Sequence, residues 1–102
     1  MPGSERTYTV DEARALLPEV RAILLALAVE RHRGEGMRHD DVAALVGYLE
    51  RLGVVLRDVE HGLVDFPTVR DGEPAWLCWR LADADLGFWH STREGFASRR
   101  PL

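Results

Sequence analysis

An α+β fold is predicted for this chain: an N-terminal antiparallel helical hairpin packed on one face of a small antiparallel β-meander of three to four strands. Three observations predict it. Apolar residues recur at helical spacing through the first half. From Val54 onward the pattern changes to short β-branched and aromatic runs separated by turn residues. Asp71-Gly72 sits between two such runs, a strong two-residue hairpin signal.

Thr9-Val10-Asp11-Glu12 fits a capping box, in which the threonine hydroxyl and glutamate carboxylate each satisfy a free backbone donor. Ala13, Leu16, Leu17, Val20, Ile23, Leu24, Leu27 and Ala28 then form one stripe. Pro18 interrupts a hydrogen bond inside that stripe and predicts a bend, not an end. Gly34-Glu35-Gly36 stops the helix near Arg33. A second helix begins around His39-Asp40-Asp41, carries Val42, Leu45, Val46, Leu49 and Leu52, and closes at Gly53. Both stripes need a cover. Each other and the sheet provide it, and part of the first helix can also cover a second copy in a homodimer.

The predicted strands are Val54 to Val59, Leu63 to Phe66, Pro74 to Leu81 and Leu86 to His90. A two-residue turn at Asp71-Gly72 pairs Arg70 with Glu73, Phe66 with Leu77, Asp65 with Cys78 and Val64 with Trp79. Directly opposed residues share a face. Val64, Phe66, Leu77 and Trp79 therefore face the helices, and Asp65, Trp76, Cys78 and Arg80 face away. A three-residue loop Glu60-His61-Gly62 places Arg57 opposite Asp65 and Leu56 on the core side.

Arg57, Asp65, Cys78 and Arg80 then form a polar cluster on the far face. It is either a salt-bridge ladder or a site where Arg57 and Arg80, with Asp65, bind a carboxylate or phosphate. His90 depends on the last turn. An even-numbered turn sets it opposite Leu77 on the core side, as a structural histidine. A three-residue turn, Asp83-Ala84-Asp85, sets it opposite Cys78, and Asp65, Cys78 and His90 can then hold a divalent metal such as zinc. His32, His39 and His61 are expected in solvent, as is the acidic turn.

The 102 residues predict a single domain, with the hairpin at about 9–53, the meander at about 54–90 and a tail at 91–102. A net charge of −4 opposes nucleic-acid binding, although Arg99 and Arg100 make the tail basic. All 13 basic residues are arginine, which reads as coding bias. One cysteine excludes an internal disulfide. Neither a signal peptide nor a membrane span is expected, which makes the cytoplasm the default location. No phosphate loop or nucleophile elbow occurs.

Tyr8-Thr9-Val10-Asp11-Glu12-Ala13, Leu16-Leu17-Pro18, Gly62-Leu63-Val64-Asp65-Phe66-Pro67, Leu77-Cys78-Trp79-Arg80, Phe88-Trp89-His90 and Gly95-Phe96 together resemble the prokaryotic family catalogued as domain of unknown function 2203. The resemblance brings no activity with it. An acidic pair precedes Phe-Trp-His in the family pattern, and Asp83 and Asp85 stand where glutamates are usual. These shorter carboxylates reach less far. The ending from Gly95 to Leu102 is also family-like, with Arg100 where a neutral polar residue is common.

Two functions follow. One is a structural or interaction module acting as a homodimer, which leans away from an enzyme. The other is a metal- or small-anion-binding domain, with hydrolase as its enzymatic form and its site around Asp65, Cys78, Arg80 and His90.

Overall fold

The structure, a computed structural model, describes residues 6–33 and 39–102. The predicted Gly34-Glu35-Gly36 link and the side chains of His32 and His39 lie outside what is described. Helix α1 spans Val10–Arg33 and α2 spans His39–Leu52. Five strands follow: β1 (Val55–Asp58), β2 (Leu63–Arg70), β3 (Glu73–Arg80), β4 (Phe88–Ser91) and β5 (Arg100–Pro101). They form one antiparallel sheet in chain order. The sheet is a meander, as predicted, with one strand more.

The ends of the helices are set locally. Thr9 N–H donates to Glu12 Oε1 at 2.8 Å and Glu12 N–H to Thr9 Oγ1 at 3.1 Å, which is the reciprocal capping box. At the end of α2, Gly53 has φ +79°. Its N–H donates to the Glu50 carbonyl, and that of Val54 donates to the Leu49 carbonyl. This is the Schellman pattern, and the accompanying apolar pair, Leu49 and Val54, is buried. Tyr48 of α2 donates to the Glu19 carboxylate of α1, tying the hairpin.

The β2–β3 register is the one counted from Asp71-Gly72: Arg70↔Glu73, Phe66↔Leu77, Asp65↔Cys78 and Val64↔Trp79. Both turn residues have positive φ, 53° and 78°, the type I′ geometry. Val64, Phe66, Leu77 and Trp79 are buried together with Leu17, Val20, Leu24 and Leu27 of α1 and Leu49 of α2. Full burial of each large apolar side chain is worth about 1.5–3 kcal/mol. Slipping the register by one residue would turn the core residues of one of the two strands outward, Val64 with Phe66 or Leu77 with Trp79. Surface ion pairs, at about 0–1 kcal/mol each, cannot compete with that. The apolar face therefore sets the register.

Two predicted details are corrected. Val55 opposes Asp65 and Leu56 opposes Val64, and the register then shifts between Leu56 and Asp58. Arg57 is therefore the extra residue of a bulge and not the partner of Asp65 across a regular ladder. The cause is Asp58, whose Oδ1 accepts from the Glu60 and His61 N–H groups at 2.9 and 3.4 Å. That side-chain turn draws in one residue more than a three-residue loop requires. The stretch 91–102 is the second correction, because it is not a free tail. Ser91 ends β4, Phe96–Ser98 makes a 3₁₀ turn, and β5 pairs Phe88 with Pro101 and Trp89 with Arg100.

The N-terminal segment also joins the sheet. Tyr8 N–H donates to the Pro67 carbonyl at 2.7 Å, and Thr68 Oγ1 donates to the Tyr8 carbonyl at 2.6 Å. This satisfies the part of β2 that the shorter β1 leaves uncovered. Among the described residues, no helix is long and apolar enough to cross a membrane.

Candidate metal centre

The last hairpin decides where His90 stands. Seven residues, 81–87, connect β3 to β4, and the pairs are Ala75↔Ser91, Trp76↔His90, Leu77↔Trp89 and Cys78↔Phe88. Nine residues, 79–87, separate the paired Cys78 and Phe88, and nine is odd, so His90 shares the far face with Cys78, the face expected for a three-residue turn. Its direct partner is Trp76 instead, two residues away from the predicted one. Helix α1 holds the longer loop in place. Arg14 Nη2 donates to the Leu86 carbonyl at 3.0 Å, and Arg21 donates to the carbonyls of Leu81 and Asp83 at 3.3 and 3.4 Å. The Arg21 guanidinium also lies 4.9 Å over the Trp79 ring. Leu86, predicted within the strand, instead anchors the loop in the core.

On the far face, Asp65, Cys78 and His90 come from three adjacent strands. One ligand atom from each lies within 4.8 Å of the others. The three residues are 2%, 1% and 4% exposed. Arg57 Nε donates to Asp65 Oδ2 at 2.9 Å, with the Arg57 side chain 42% exposed. The arginine reaches Asp65 even though the bulge removes it from the ladder.

The hydrogen bonds of His90 define its chemistry. Nδ1 lies 3.0 Å from the Ser91 carbonyl oxygen and 2.9 Å from that of Glu94. Carbonyls only accept, so Nδ1 carries a proton. Nε2 lies 3.2 and 3.1 Å from the two Asp65 oxygens. A lone pair aimed at a carboxylate at that distance is repulsive. A shared proton or a metal cation between them removes that repulsion.

Burial, together with the Asp65 carboxylate beside it, pushes the Cys78 thiol up to about 12 from its ordinary 9.0. Arg99 draws it partly back. A free thiolate nucleophile is therefore disfavoured at neutral pH. The hydrogen-bond partner of the thiol is Asp65 and not His90, where a Cys–His pair needs direct contact.

Arg80 does not join the cluster. Its Nε turns to Asp83 Oδ1 at 3.3 Å, and Asp83 Oδ2 accepts from the Arg80 N–H at 3.3 Å. Of the two arginines predicted around one anion, Arg57 contacts Asp65 and Arg80 contacts Asp83. Asp83, expected in solvent, has a side chain only 15% exposed. Asp85 is exposed, caps Leu86 N–H at 2.7 Å and meets Arg14 at 3.4 Å. His61 is exposed as expected and pairs with Asp58 at 2.7 Å. That contact raises the histidine above its usual range and lowers the aspartate.

Sequence reasoning missed three participants. Arg99, read as part of a basic end, stacks 4.2 Å over the Phe88 ring and lies 3.9 Å from Asp83. Thr92 and Glu94 line a cavity of about 420 Å³ that opens on Asp65 and His90. No local periodicity marks them, because the segment after β4 is irregular. Its return to the site depends on β5 pairing. Arg100 likewise folds onto the chain's own groups, 5.7 Å from the Trp89 ring centre and 3.9 Å from Glu94.

The family described as Uncharacterized conserved protein (DUF2203) has a model that matches residues 28–102, and the chain belongs to that family. The stretches around Tyr8 and Pro18 precede the matched residues. No curated protein and no solved structure matches the chain.

Proposed function

We propose that this member of the DUF2203 family is a divalent-metal-binding domain, with Asp65, Cys78 and His90 as its protein ligands and zinc as the best-fitting metal. The observation that carries the reading is His90. Its Nδ1 is pinned by two backbone carbonyls, and its Nε2 points at a buried carboxylate with a cysteine sulfur beside it. Imidazole, thiolate and carboxylate are the donor types zinc takes. A second hydrogen bond on the distal ring nitrogen is the usual support of a ligating histidine. Asp65 Oδ2 can keep Arg57 while Oδ1 turns to the metal. Three protein ligands would leave one position of a four-coordinate metal for water or substrate, and Asp65 and His90 line a cavity that could admit it. A metal there supplies Lewis acidity, which makes hydrolysis the reaction class to screen.

A homodimeric interaction module has less to rest on. The apolar stripes that suggested it are used within one chain, with Ala13, Leu17, Val20, Leu24 and Leu27 buried. Of the large apolar residues described on the helices, Leu25 and Tyr48 are exposed.

The test is metal titration of chelator-stripped protein. One zinc per chain is expected. Cobalt should give the near-ultraviolet thiolate charge-transfer band of a Cys-ligated site, and Cys78→Ser should abolish it. His90→Ala should weaken binding by more than about a hundredfold, since loss of outer-shell partners alone costs about 10–100-fold. Because the Cys78 proton must leave, affinity should climb at least about tenfold per pH unit between pH 6 and 8. Less than about one tenth of a metal per chain in excess zinc overturns the reading.

A further inference from the structure

We infer that the cavity beside Asp65 and His90 binds a small organic monocarboxylate, with Arg57 as its anchor and Trp76 as its wall. The cavity, of about 420 Å³, lies within the usual size range for small-molecule sites. It is larger than a bare ion needs.

Arg57 is held on two sides. Its Nε donates to Asp65, and its Cζ lies 5.0 Å from the Trp76 ring centre. Its terminal nitrogens have no partner among the described residues, and its side chain is 42% exposed. A guanidinium fixed in this way presents a planar fork suited to a carboxylate. Among the described residues lining the cavity, Arg57 is the one arginine, and Asp65 and Glu94 are acids, so a monoanion suits it better than a phosphate dianion. The other acid lining the cavity, Glu94, is already engaged. It accepts from Ser91 Oγ at 3.4 Å and lies 3.9 Å from Arg100. Thr92 offers a hydroxyl, and Leu63 and Trp76 offer apolar surface for the body of the acid.

The inference concerns the same site as the metal but does not require it, and the test separates the two. Butyrate and inorganic phosphate are titrated at constant ionic strength into ¹⁵N-labelled protein, once stripped with chelator and once with zinc. The indole N–H signal of Trp76, assigned by Trp76→Phe, is followed. Butyrate should move it saturably in both forms, with a Kd of about 1–10 mM. Phosphate should bind at least about tenfold more weakly. Arg57→Lys keeps the charge but removes the fork, and should weaken butyrate by more than about tenfold. Thr92→Val, which leaves the Asp65 contact intact, should weaken it by about threefold to tenfold. A Trp76 signal that does not saturate with butyrate overturns the inference, as does butyrate affinity unchanged in Arg57→Lys. Phosphate binding as tightly as butyrate overturns the monocarboxylate assignment. If zinc fails to bind while butyrate does, only the metal reading falls.

Discussion

Asp65 receives donors from β1, β3 and β4: Arg57 Nε at 2.9 Å, the Cys78 thiol and the His90 edge at 3.1 Å. Removing its charge leaves Arg57 without its buried counter-ion and gives the Cys78 thiol and the His90 edge a weaker acceptor. Asp65→Asn should destabilise the metal-free protein by about 2–3 kcal/mol in urea unfolding. This sits at or below the lower end of the range for broken buried pairs, because Arg57 is 42% exposed and solvent screens it. Cys78 follows from its burial and then from the same neighbour. With its thiol held up to about 12, almost none is thiolate at pH 8. Its reaction with a disulfide reagent should be more than about a hundredfold slower in folded than in urea-unfolded protein. Equal rates would mean that the thiol is neither buried nor paired.

Among the elements, the turns divide into those their own residues specify and those they do not. Asp71-Gly72 dictates its register because both residues accept positive φ, and eight pairs between β2 and β3 follow from it. The β1–β2 turn rests on Gly62. Its φ of +63° disfavours any side chain, and a Cβ there would lie 2.5 Å from Leu81 Cγ. Gly62→Ala should therefore destabilise by about 1–3 kcal/mol in thermal or urea unfolding. Gly72 has a similar φ of +78° but nothing within 4 Å, so Gly72→Ala should cost less. Equal losses at the two positions would show that conformation alone, without the Leu81 contact, sets the cost. The β3–β4 connection has no such local rule. Ala82-Asp83-Ala84-Asp85 can close a short turn, and it becomes seven residues because Arg14 and Arg21 of α1 hold its carbonyls.

For the whole molecule, the far face of the sheet is closed by the end of the chain. Leu102 N–H donates to the Gly87 carbonyl at 2.8 Å, β5 pairs with β4, and Arg99 lies over Phe88 beside Cys78. A face that would otherwise be half exposed is thereby buried at Asp65, Cys78 and His90. Truncation after Ser98 should speed amide exchange at Phe88 and Trp89 and raise Cys78 thiol reactivity by at least about tenfold, with the helices retained by circular dichroism. No change in either would mean that the last four residues do not close the site.

Residue type and spacing alone determined both helices with their caps, the β2–β3 register and the division of Asp65 and Cys78 from Phe66 and Trp79. Each of these depends on neighbours a few residues apart, or on a turn whose φ angles name their residues. Folding in three dimensions decided the rest: the bulge at Arg57, the loop that brings His90 to Asp65, the diversion of Arg80 to Asp83 and the return of Arg99 over the sheet. Most of these rest on contacts between groups far apart in the chain, such as Arg14 with Leu86, and no local pattern encodes such a distance.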